Sequence, residues 1–95
     1  MPLFVMLTRL TDQGARKLKE NPQRMVEVDG QLAGMGVQVL HQYAVLGRYD
    51  FVNIVEAADT AAVTRASLDL AARGSIRIET MPAMSAEDLI GTLHE

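Results

Sequence analysis

Three side chains near the middle of the chain are of kinds that move protons: His41, Tyr43 and Asp50. They lie in "VLHQYAVLGRYDFVNIVE", where Gly47 and Arg48 separate two runs rich in β-branched and aromatic residues. Such runs read as strands, and a two-residue connection with glycine first favours a type II′ hairpin. In that register Leu46 lies opposite Tyr49, Tyr43 opposite Val52 and His41 opposite Ile54. Tyr43 is then a diagonal neighbour of Asp50, within reach of a long side chain, and His41 lies two residues further along the same face. An imidazole, a phenol and a carboxylate on one surface are the groups that general acid–base catalysis uses. With Arg48 as a cation at the turn, the same residues would instead hold a small organic ligand; Arg9 and Arg77 are further cations near strand ends.

Each of these residues also has a structural reading. A strand histidine can rest in a hydrogen-bonded niche, and a tyrosine can bury its ring while its hydroxyl bonds a backbone group. An aspartate after a turn can accept from free amides or pair with Arg48. His94 reads as solvated. Two histidines and no cysteine make no convincing metal-ligand set. No cofactor is implied either: "GQLAGMG" reads as the end of a helix and lacks the strand that precedes a nucleotide fingerprint, and there is no serine-centred nucleophile motif.

The elements that must position these groups follow from hydrophobic spacing. "LFVMLTR", residues 3–9, is a short apolar run that reads as a buried strand. Thr11 or Asp12 can cap a helix through "ARKLKE". Asn21 followed by Pro22 either starts a second helix or kinks the first. Met25, Val28, Leu32 and Met35 then form one apolar stripe, and Gly34 and Gly36 supply its stop. Strands over 37–46 and 49–57 form the hairpin. Asp59 or Thr60 caps a helix that Gly74 ends, "SIRIETMP" reads as a fourth strand, and Ser85 caps a final helix, "AEDLIGTLHE". The order β-α-β-β-α-β-α is that of a ferredoxin-like α+β fold, with a four-stranded antiparallel sheet and helices on one face.

Ninety-five residues suit one domain over 1–95, and 48% hydrophobic with 22% charged residues is a globular composition. No apolar run approaches the roughly 18–20 residues that span a bilayer. "MPLFVMLTR" lacks the pattern of a signal peptide, so with no cysteine a cytoplasmic location is expected. A net charge of −3 without a basic run, with two Tyr, two Phe and no Trp, argues against nucleic-acid binding.

Alternation divides the hairpin into two faces. Val37, Val39, His41, Tyr43 and Val45, with Asp50, Val52, Ile54 and Glu56, are the better core and are expected to face the helices. The other set contains Leu40, Leu46, Tyr49, Phe51 and Val55, too apolar to be left bare. Leu40, Tyr49, Phe51 and Val55 are therefore expected at an interface with a second copy of the chain, in a homodimer or larger ring. The alternative is a final helix folded over that face.

At "LGRYDFVNIVEAAD" the chain resembles the GYD domain family, whose Gly-x-Tyr-Asp positions fall on Gly47, Tyr49 and Asp50. "LTDQGARKLKENPQR" and "GSIRIETMPAMSAEDL" are similar to the family as well, and Ala58 departs from an expected proline. The resemblance implies a ferredoxin-like fold of the dimeric α+β barrel type and supplies no activity. The function expected is a small-molecule-binding or sensor module, acting as a homo-oligomer with a pocket between sheet and helices. A cofactor-free enzyme, with His41 or Asp50 as base and Tyr43 as acid, and a purely structural interaction protein remain open beside it.

Overall fold

The computed structural model describes residues 1–94. Its elements are β1 (Leu3–Leu10), α1 (Asp12–Glu20), α2 (Arg24–Gly34), β2 (Val37–Ala44), β3 (Phe51–Ala57), α3 (Thr60–Ala72), β4 (Ile76–Ala83) and α4 (Ala86–Leu93). The four strands form one antiparallel sheet in the order β2-β3-β1-β4, the ferredoxin-like arrangement expected from the order of elements. The segment after β1 holds two helices. Asn21, Pro22 and Gln23 form a turn, and α2 starts at Arg24 with no side-chain cap.

Capping follows local chemistry elsewhere. The Thr11 hydroxyl accepts the Gly14 amide, Asp59 accepts the Ala62 amide and Ser85 accepts the Asp88 amide, each satisfying an orphan first-turn donor. Gly36 and Gly74 follow the ends of α2 and α3 at φ +82° and +80°, backbone that side chains rarely adopt. The final helix leaves Glu95 outside the described residues.

The core lies between one sheet face and the helices. Phe4 and Met6 of β1 and Val37, Val55 and Ala57 of the hairpin pack against Leu32 of α2 and Ala62, Val63, Ala66 and Leu70 of α3. The alanines of α3 let its backbone come close to the sheet. Val28 and Met35, from the stripe predicted on α2, pack against the same core.

The hairpin keeps the expected pairs Tyr43–Val52 and His41–Ile54 but reverses their faces. A β-bulge at Leu40 shifts the register, so Val39 pairs with Val55 while His41 pairs with Ile54. Val37 and Val39 face the helices as expected. Beyond the bulge Gln42 turns inward, while His41 and Tyr43 turn to the open face. On β3 the buried residues are Asn53, Val55 and Ala57, so Val52, Ile54 and Glu56 lie on the open side. The connection is also wider than two residues. It spans 45–50, is closed by the Val45 amide donating to the Asp50 carbonyl at 2.8 Å, and places Gly47 at φ +144°.

Candidate functional site

The Gly-Arg-Tyr-Asp segment is occupied with holding strands together. The Asp50 amide donates to the Thr8 carbonyl at 2.8 Å, and its carboxylate accepts the Leu10 amide at 2.7 Å. This extends the β1–β3 ladder past the end of β3 and satisfies a donor that would otherwise be unpaired. The Tyr49 hydroxyl donates to the Glu79 carboxylate at 2.8 Å, reaching over β1 to β4. That bond to Glu79 retains the phenolic proton and raises the Tyr49 pKa above its ordinary value.

His41 and Tyr43 stack on the open face with ring centroids 6.4 Å apart and planes 7° from parallel. Both are exposed, and Asp50 is turned to β1. The structure therefore does not gather His41, Tyr43 and Asp50 under the helices, and neither these three nor Arg48 line the cavity there. The bulge at Leu40 is the physical reason for the first two, and the Leu10 amide for the third. Of the expected interface residues, Val55 is fully buried in the core and Phe51 lines the cavity. Leu40 forms the bulge, and Tyr49 is held over the sheet by Glu79.

A cavity of about 110 Å³ does open between the sheet and α1, α2 and α3. Its floor is the inward face of the strands, including Met6, Thr8, Asn53 and Ile78; Leu18, Met25, Val28, Leu32 and Leu70 wall it from the helices. Two of its polar groups are buried without partners: the Asn53 side-chain carbonyl and the Ser75 hydroxyl. Asn53 keeps only 7% of its surface exposed. An unpaired acceptor in the interior is costly, which sets Asn53 apart from the apolar residues around it.

Asp29 of α2 joins Asn53 at this wall. The Gln42 amide donates to the Asp29 carboxylate at 3.2 Å, and Gln42 is the cross-strand partner of Asn53. A carboxylate and an amide oxygen are thus carried on adjoining positions. Burial raises the Asp29 pKa, opposed by the Gln42 hydrogen bond. Three cations reach the cavity from the helices: Lys17, Arg24 and Arg73. Arg73 is engaged with Gln31 and Asp69, and Arg24 approaches Glu27 at 3.9 Å. Lys17 has no acidic partner among the described residues.

The alternation "FVNIVEA" was the only sequence signal for Asn53. It misled because a single polar residue on an apolar strand reads as marking the outside. Asp29, Gln42 and Ser75 carry no spacing that distinguishes them. Among the described residues no His, Asp and Glu cluster could hold a metal ion, and no helix is long and apolar enough to cross a membrane.

Comparison with known proteins adds to this geometry. The sequence pattern of the GYD domain matches residues 4–93. A Thermus thermophilus protein named "Glutamine synthetase and cystathionine beta-lyase binding protein" is 53% identical over 94 residues, covering 98% of this chain and 99% of that protein. Among solved structures, TTHA0845 from Thermus thermophilus superposes with a TM-score of 0.53 at 26% identity, covering 90% of this chain and 96% of the other. FFRP-DM1 superposes with a TM-score of 0.59 at 21% identity, over 88% of this chain and the whole of the other, a likeness of fold alone.

Proposed function

The chain belongs to the GYD domain family, and from that footing we propose that it is a small binding module that docks on metabolic enzymes as a self-associated unit. The observation that carries this reading is the end-to-end 53% identity with a relative named for binding glutamine synthetase and cystathionine β-lyase.

The surface supports it. Helices cover one face of the sheet, and the other presents Leu3, Val5 and Leu7 of β1 beside Val52 and Ile54 of β3, with Met81 on β4. The stacked rings of His41 and Tyr43 extend this surface toward β2. An apolar area of this kind marks an interaction site. The final helix does not close over it as a core element would, since none of its residues is buried and Leu89, Ile90 and Leu93 are themselves exposed. A second copy supplies a matching apolar face, because an isologous contact pairs like surface with like. The tip of the β2–β3 connection, with Val45 and a fully exposed Leu46, is left for the enzyme.

Two measurements test this reading. Light scattering should give a dimer or larger assembly for the wild-type chain and a monomer for Ile54→Glu. The immobilised wild-type chain should bind purified glutamine synthetase or cystathionine β-lyase from the same organism, and Leu46→Ser should weaken that binding. A monomeric wild type, or no binding of either enzyme, rejects the corresponding half of the proposal.

A further inference from the structure

We propose that the cavity beneath the helices is a binding site for a free α-amino acid with a small apolar side chain, its ammonium held by Asp29 and Asn53 and its carboxylate by Lys17 and Arg24. The inference is independent of the docking role, because it concerns the opposite face of the sheet and rests on the cavity lining.

Size sets the first limit. A half-open cavity of about 110 Å³ takes on the order of ten non-hydrogen atoms, which suits a single amino acid. Charge sets the second. The Asp29 carboxylate and the unpaired Asn53 carbonyl are both acceptors, brought to adjoining positions by Gln42. Two acceptors, one of them on the buried Asn53, call for a cation with several N–H groups, which an ammonium is. Burial raises the Asp29 pKa, and a cationic ligand beside it would favour the charged carboxylate. The helices contribute the opposite sign: Lys17 lacks an acidic partner among the described residues, and Arg24 is only loosely engaged. A carboxylate is an anion that both cations can bind, and in an α-amino acid it stands one carbon from the ammonium.

Much of the remaining lining, apart from polar groups such as Thr8 and Ser75, is hydrocarbon from Met6, Leu32 and Ile78, with flexible Met25 and Leu18 from the helices. An apolar side chain fills that region without leaving a polar group unpaired. Site and fold also conflict at Asn53 in a way ligand binding would resolve. Its buried carbonyl has no partner within the chain, and an ammonium would supply one.

Thermal unfolding of the isolated chain tests the assignment with L-valine and L-methionine as probes. L-Valine is paired with its two truncated forms, 3-methyl-2-oxobutanoate and isobutylamine. At least one of the amino acids should raise the Tm when present at about 5 mM, since only native-state binding stabilises. Both truncated forms should bind at least tenfold more weakly than L-valine. Asp29→Asn keeps an acceptor for Gln42 but loses the charge, and should weaken amino-acid binding at least tenfold. Asn53→Leu, similar in shape, should abolish binding while raising the Tm of the ligand-free chain by about 5 °C, because it removes a buried unpaired group. The proposal is overturned if neither amino acid shifts the Tm. It is equally overturned if 3-methyl-2-oxobutanoate binds as well as L-valine, or if both variants bind like wild type.

Discussion

The carboxylate of Asp50 closes the end of β1 by accepting the Leu10 amide, and that bond explains why an acid stands at the start of a strand. Removing the acceptor leaves a partly buried N–H unpaired. Asp50→Ala should therefore lower stability by about 1–2 kcal/mol, while Asp50→Asn, which retains an oxygen at that position, should cost less. Urea denaturation distinguishes the two; equal stability of Asp50→Ala and wild type would mean that the bond contributes nothing. Asp29 carries a different signature. Its folded-state pKa is raised by burial, so the folded chain holds that proton more tightly than the unfolded chain does. The associated stability is present below the ordinary carboxylate range and is lost as the pH rises through the raised value. Asp29→Asn should thus be more stable than wild type at neutral pH, by a margin that shrinks to nothing on acidification through that window. A margin independent of pH in paired denaturation curves would contradict this.

At the level of elements, α1 is seated with its backbone close against the start of β4. A Cβ at Gly14 would stand 1.9 Å from the Ser75 carbonyl oxygen, and the Ser75 carbonyl also accepts the Thr11 amide. The obstruction is main chain and cannot swing aside. Gly14→Ala should accordingly destabilise the fold by about 2–3 kcal/mol, and it should deform the cavity, since Gly14 and Ser75 both line it. Gly30→Ala, where nothing lies within 4 Å of the added carbon, is the control and should leave the chain as stable as wild type or slightly more so. If the two variants unfold alike, the close approach is not as drawn. The hairpin shows a second device at this scale: one extra residue, Leu40, exchanges the faces of everything after it in β2.

For the whole molecule, the layers leave two surfaces with different tasks. The helix side holds a small half-open cavity with charged groups in its lining, and the other side is an apolar sheet without a cover. Ile54→Glu separates them: it places a charge at the centre of the open sheet, where a second copy would bury it, and touches nothing in the cavity. Disruption of the assembly with amino-acid binding retained is the expected outcome. Joint loss of both would show that the two surfaces are coupled through the fold.

Hydrophobic spacing, caps and glycines were enough to read the order of elements, the ferredoxin-like sheet and the capping roles of Asp59 and Ser85. These are local effects, in which each residue acts on neighbours a few positions away. The pairs Tyr43–Val52 and His41–Ile54 were legible for the same reason. Which side of the sheet the helices cover was decided only by the tertiary structure. That choice depends on all four strands at once, and on β1, where Phe4, Met6 and Thr8 are buried while Leu3, Val5 and Leu7 are half-exposed, both sides are largely apolar. The buried Asn53 disguised the inner face of β3, and the bulge at Leu40 was silent in the pattern. The cavity groups come from β2, β3, α1, α2 and the turn before β4, segments far apart in the chain. No spacing in the sequence could have joined them, because only the packing of helices on the sheet brings them to one place.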